Sequence, residues 1–242
     1  MNYFINWSMD KGIVGKFFQS QRISNYLEGN PKFLNSIYFK KLDTEVITPI
    51  AILEKKAKLT DLISNVCAGG NLHLLMSGKL SKIIKIHRKE GVQFFPSTIL
   101  TSDNIEINDY FHLNMFVDSN EMIDIKNSTV KYYKKSSDYN LTYKTEIEYP
   151  QFNDHDDFNH ALQETKQNME TLFIEKLKLF PNAVEDFFMF RHVEGGVRYV
   201  VSEKLRKEIE DAGCTGIEFQ PVELSSAEWL QGGEREKIYG KA

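Results

Sequence analysis

A chain of 242 residues with 41% hydrophobic content is long enough to bury a packed core, which excludes a disordered or fibrous protein. Two cysteines, Cys67 and Cys214, without CxxC spacing argue against a disulfide framework or a zinc ribbon and fit a reducing compartment. A net charge of −4 is mild, the opening MNYFINWSMD has no basic leader pattern, and no run approaches the roughly 18 apolar residues of a membrane span, so a cytoplasmic protein is expected.

Residues 3–7, YFINW, read as an opening strand, and 14–27 carry Val14, Phe17, Phe18, Ile23 and Tyr26 at loosely helical spacing. A strand is expected over 47–53 and a short helix over 60–66, with Leu62, Ile63 and Val66 turned inward. From 99 to 149 the pattern is mostly extended: 111–117, 128–133 and 141–149 alternate as antiparallel strands joined by polar turns. Residues 153–157 supply caps for a helix running to about 168, and strands follow over 172–179 and 187–190. After Trp229 the tail has little to bury, and 232–242 are expected to be disordered. No Pro/Gly/Ser linker divides the chain, so one α+β domain over 1–242 is expected, with a mixed, largely antiparallel sheet and a few short helices.

The chain also contains a repeat. Residues 77–96 and 202–221 align without a gap at an offset of 125, with eight of 20 positions identical. Each copy follows an apolar run, at 72–76 and 197–201, which reads as a buried strand. Ser77 and Ser202 then stand where an N-cap accepts from the free amides of a first helical turn. Leu80, Ile83 and Ile84, like Leu205, Ile209 and Ala212, recur at helical spacing. Gly91 and Gly216 release the helix, Phe94 and Phe219 resume an extended pattern, and Pro96 and Pro221 stop it. Two similar strand-helix-strand units, about 72–96 and 197–221, are the result.

Chemistry is harder to find. Among six histidines there is no HxxxH or HExxH pair, and the chain has no GxSxG, P-loop or GxGxxG, so no catalytic residue, cofactor site or metal site is assigned. Asp154, His155, Asp156, Asp157 and His160 contain ligand-type residues, but their place at a helix start reads as capping. Lys79, Lys82, Lys85 and Lys89 share one helix face with Arg88 beside them, a surface suited to phosphate, although the second copy carries Glu208, Glu210 and Asp211 there. Nucleic acid is therefore the weaker partner. Residues 101–125 hold Asp103, Glu106, Asp109, Asp118, Glu121 and Asp124 without one lysine or arginine. The first five are candidate contacts for a basic protein, which such a field attracts. Asp124 and Ser128, four residues apart, are spaced to tie down a turn.

The ending RYVVSEKLRKEIEDAGCTGIEFQPVEL, with Ser202, Leu205, Ile209, Gly216, Phe219 and Pro221, resembles the immunity-protein family of bacterial polymorphic-toxin systems. The opening MNYFINW, the stretch from LMSGKL to QFFPS, and MIDIKNS with Asp124 and Ser128 resemble its other landmarks in the same order, while 9–60 match none. The resemblance implies a cytoplasmic α+β protein that neutralises a cognate toxin by stoichiometric binding, with no catalytic residues and no cofactor. Two other readings stand beside it: a nucleic-acid-binding module using the basic 79–89 helix, and an enzyme whose site is assembled from distant residues.

Overall fold

Two mixed sheets, rather than one, carry the strands of this α+β fold. The computed structural model describes residues 1–27, 29–70, 72–135, 145–183 and 185–241. The first half contains β1 (Asn2–Trp7), α1 (Lys11–Val14), β2 (Ser20–Ile23), β3 (Ala51–Leu53), β4 (Leu62–Ile63), β5 (Leu75–Ser77), α2 (Gly78–His87), β6 (Val92–Leu100) and β7 (Glu106–Met115). The second contains β8 (Thr129–Lys135), β9 (Thr145–Glu148), α3 (His155–Gln167), β10 (Thr171–Lys176), β11 (Phe187–Val193), β12 (Gly196–Ser202), α4 (Glu203–Asp211), β13 (Ile217–Pro221), α5 (Ser226–Leu230) and α6 (Glu234–Tyr239). The larger sheet runs β13-β1-β12-β11-β10-β8-β9 and the smaller β2-β3-β6-β7-β5-β4. Among the strands of the described residues, β10 with β11 and β3 with β6 are the parallel neighbours. At the ends of the smaller sheet, Ser20 N donates to Ser64 O (3.0 Å) and Val66 N donates to Ser20 O (3.1 Å), so its two edges are joined.

The 125-residue offset reaches beyond the sequence repeat. Leu62 of β4 pairs with Met76 of β5, and Phe187 of β11 pairs with Val201 of β12, the same positions one offset later. Ser77 caps α2 by accepting from Leu80 N (3.2 Å), and Ser202 caps α4 by accepting from Leu205 N (3.1 Å), each cap being worth about 1 kcal/mol. Both hydroxyls donate to an aspartate at 2.6 Å, Ser77 to Asp61 and Ser202 to Asp186. Lys79 and Lys204 each reach the other oxygen of that aspartate at 3.2 Å. Gly91 and Gly216 leave the helices with φ of +73° and +82°, and a Cβ on Gly216 would lie 2.4 Å from the Leu62 carbonyl oxygen, so no other residue fits there.

The strand that completes each unit comes from a different place in the chain. Phe111 of β7 faces both Met76 and Pro96. Tyr3 of β1 faces Val201 and Pro221, the offset partners of those residues. Ser8 N donates to Gly216 O as Phe116 N donates to Gly91 O, both at 2.9 Å. β1 is thus the counterpart of β7, moved to the front of the chain as in a permuted tandem repeat.

Period-two alternation then assigns the faces. Leu62, Met76, Leu80 and Ile84 of the first unit share one buried cluster with Phe187, Val201, Leu205 and Ile209 of the second. Each such side chain contributes roughly 1.5–3 kcal/mol on burial. On the other face of the larger sheet, Phe158 and Leu162 of α3 cover Leu172, Ile174, Phe188 and Phe190. Inside the smaller sheet lie Ala51, Leu53, Ile63, Leu75 and Ile99.

Several expectations need correcting. The helical spacing over 14–27 does not become a helix: α1 ends at Val14, and Gly15 follows at φ +70°, where an added Cβ would lie 2.0 Å from the Lys56 carbonyl oxygen. In place of the helix expected over 60–66, Leu62 and Ile63 form β4, because pairing with β5 and the bond from Ser77 N to Asp61 O (2.8 Å) hold this segment extended, and Val66 is exposed rather than turned inward. Of the strand expected over 141–149, residues 141–144 lie outside the described residues and β9 takes 145–148. The tail is not frayed through 234–239. Arg235 donates to both oxygens of Glu218 at 2.6 Å with both side chains buried, and Tyr239 Oη accepts from Phe219 N (2.8 Å), so α6 covers the β13 edge.

Candidate functional site

The acidic segment divides between the two ends of β7. Asp103 sits in the β6–β7 turn and Glu106 opens the strand, both exposed, and Asp109 is exposed near the N-terminus of α2. Asp118 and Glu121 follow the far end, where Asp118 meets Arg191 at 3.5 Å. A strand of 10 residues spans about 30 Å, so these five carboxylates do not form one patch. Asp124 accepts from Asn127 N (3.3 Å) and its carbonyl accepts from Ser128 Oγ (2.8 Å), while Ser128 Oγ accepts from Lys178 N (3.0 Å), so the pair fixes the approach to β8.

The basic face of α2 is largely engaged within the chain. Lys79 binds Asp61 and donates to Gly213 O (3.0 Å) beyond the end of α4, where a cation suits the carbonyls. Lys85 lies over the rings of Phe94 and Phe111, 4.6 and 4.7 Å from their centroids. Arg88 pairs with Glu185. Lys82 and Lys89 are exposed, and two lysines make a poor track for a phosphate backbone.

A cluster of titratable groups joins the two units. Asp186 accepts from Ser202 Oγ, its second oxygen lies 2.8 Å from His87 Nδ1, and His87 Nε2 lies 2.7 Å from Glu208. Burial alone would raise the Asp186 carboxyl, but Ser202, His87 and Lys204 outweigh it and hold it at about 2. These are the residue types of a hydrolytic triad in the wrong order. The hydroxyl meets the carboxylate and a helix amide, not the imidazole, so no base is placed to activate it. Burial and the Asp61 charge push the Cys214 thiol up to about 11, which favours the neutral thiol over the thiolate. Asp154 caps α3 by accepting from Asp157 N (2.9 Å), and His155 Nε2 donates to Ile123 O (2.8 Å), which gives the 154–160 cluster a capping and packing role. The sequence reading missed Asp61 and Asp186, although they too are 125 residues apart.

A second polar group was also missed. Residues 33–50 cross the smaller sheet with little regular structure, and side chains of the sheet meet their backbone. His73 Nε2 donates to Ile37 O (2.9 Å), Asn114 Nδ2 to Lys40 O (2.9 Å), Ser97 Oγ to Pro49 O (3.1 Å) and His112 Nε2 to Pro49 O (3.3 Å). Gln93 both accepts from Leu42 N (2.9 Å) and donates to Leu42 O (2.7 Å). Burial lowers both imidazoles, His112 to about 4 with the neighbouring His73 adding to the effect.

No helix among the described residues is long and apolar enough to cross a membrane. A search of the curated proteins returns no match. A family model described as Immunity protein family (Imm11) matches residues 24–224, taking in both units, the 33–50 crossing and the Asp124–Ser128 turn. The match covers most of the chain, including much of the 9–60 stretch in which the sequence shows no landmark, and on it the chain belongs to the Immunity protein family (Imm11).

Proposed function

We propose that this protein is a cytoplasmic immunity protein that binds a cognate bacterial toxin and neutralises it by stoichiometric occlusion, with no reaction of its own. The family match over 24–224 carries this reading. The arrangement of titratable groups supports it, because the Ser202–Asp186–His87 cluster and Cys214 are built for packing and hydrogen bonding rather than for nucleophilic attack. Asp103, Glu106, Asp109, Asp118 and Glu121 act as a distributed negative field that steers a basic toxin, a role that requires no shared patch. The test is co-expression with the toxin encoded beside it. Growth should be restored and the two chains should co-purify in fixed proportion; undiminished toxicity would sink the proposal.

A further inference from the structure

The larger sheet ends in an edge with an unusual underside. β9 pairs with β8, and among the described residues no strand lies on its other side. Glu148 of β9 faces Tyr132 of β8. Between this pair and α3 lies a groove of about 260 Å³, with Phe152, Ala161, Leu172 and the Tyr132 ring as its apolar lining and Glu148 and Glu164 beside them. Both carboxylate side chains are about half exposed, at 48% and 63%, which puts them at the mouth. Lys134 approaches Glu148 at 3.4 Å and His160 approaches Glu164 at 3.7 Å, both from exposed positions where such pairs exchange at little cost. Burial first, then the bond to Glu170 and the charges of Glu170, Glu148 and Glu164, push the Tyr132 phenol up to about 12, so the carboxylates of the rim are felt at the floor of the groove.

An apolar floor with carboxylates at the rim matches one kind of side chain, a cation on a long alkyl stem. The open edge matches one kind of backbone, an extended strand. We propose that β9 and this groove take a basic extended segment of the partner protein, hydrogen-bonded to the free edge, with a lysine or arginine stem on Phe152 and Leu172 and its cation between Glu148 and Glu164. Ile147 points to the opposite face and is half exposed, so the residues flanking that cation are apolar. The same charges reject a second copy of this chain, since edge-to-edge pairing would set the glutamates of one β9 against those of another. This inference rests on the immunity reading for the identity of the partner, but not for its chemistry.

The probe is the capped pentapeptide Val-Lys-Val-Lys-Val, titrated into the labelled full chain and followed by amide chemical shifts. Shifts should map to 145–149 and to the 152–172 side of the groove, the Val-Glu-Val-Glu-Val peptide should leave them unmoved, and Glu148→Gln/Glu164→Gln should weaken binding about tenfold. No shifts, shifts elsewhere, equal binding of the glutamate peptide, or unchanged affinity in the double variant would overturn the proposal. Should the double variant lose its native spectrum, the two peptides on the wild-type chain decide the matter. No toxin enters this titration, so its failure leaves the immunity reading in place, and failed protection in cells leaves the groove in place.

Discussion

Acidification is expected to weaken the fold through the two imidazoles beneath residues 33–50. Each is buried and donates through Nε2 to a carbonyl of that crossing, His73 to Ile37 and His112 to Pro49. Burial lowers His112 from 6.5 to about 4, and His73 moves in the same direction. In the unfolded chain both rings take up a proton near 6.5, so stability is fully present above that pH and is lost as pH falls toward the folded value. For His112, the fall from 6.5 to about 4 corresponds to about 3 kcal/mol. With a urea slope of about 3 kcal/mol per molar, the midpoint should fall by about 1 M between pH 7 and pH 4.5. The carboxylates lowered most, Asp186 and Glu228, lose their stabilisation between their ordinary values of 3.8 and 4.5 and about 2, and they, like Glu54, Asp61, Glu170 and Glu203, are common to both proteins compared. His73→Gln/His112→Gln keeps an amide donor near each Nε2 and removes both titrations. Urea melts of the two proteins from pH 7 to 4.5 should therefore diverge in slope, with the wild type the steeper. Parallel lines would show that burial of these rings does not control acid stability.

Two other substitutions test the architecture. Gly216→Ala meets the Leu62 carbonyl at 2.4 Å and a φ of +82°, and should cost about 3 kcal/mol, whereas Gly195→Ala, at φ +78° with nothing within 4 Å, should cost about 1 kcal/mol. Chemical denaturation that ranks them the other way would contradict the close approach between the units. Glu218→Gln leaves Arg235 buried without its counter-charge and should cost about 3–5 kcal/mol, while Glu218→Leu/Arg235→Met should recover most of it. Thermal melts of both variants, with limited proteolysis of the tail, measure this; an unaffected Glu218→Gln would mean that α6 does not hold the β13 edge.

The repeated units were legible because their signals are local: a serine cap, a helical stripe and a glycine that no other residue replaces. What sequence could not supply was long-range pairing. Leu62 and Ile63 read as helical by spacing, yet pairing with Met76 and Leu75 holds them extended, and tertiary contacts override a short pattern. Over 33–50 the only pattern to read is the start of the strand expected at 47–53, which forms only from Ala51, since the backbone groups of the crossing are satisfied by His73 and by Gln93, Ser97, His112 and Asn114 of β6 and β7, far along the chain. The polar tail misled for a related reason, because Arg235 is buried only by virtue of Glu218. The acidic run at 101–125 was visible as composition, but β7 draws its members apart.

The two units share a plan and differ in how they end. In the first, β4 is two residues long, and the segment just past it meets Ser20, which joins the edges of the smaller sheet. In the second, the counterpart strand β11 runs for seven residues and is extended by β10, β8 and β9. A sheet whose edges are joined has few backbone donors and acceptors left for another protein, whereas an extended one keeps a free ladder. On the opposite side, β13 is covered by α6 through Arg235 and Tyr239. Among the described residues, the duplication thus leaves the larger sheet one uncovered edge, β9, and the carboxylates beside that edge select what can pair with it.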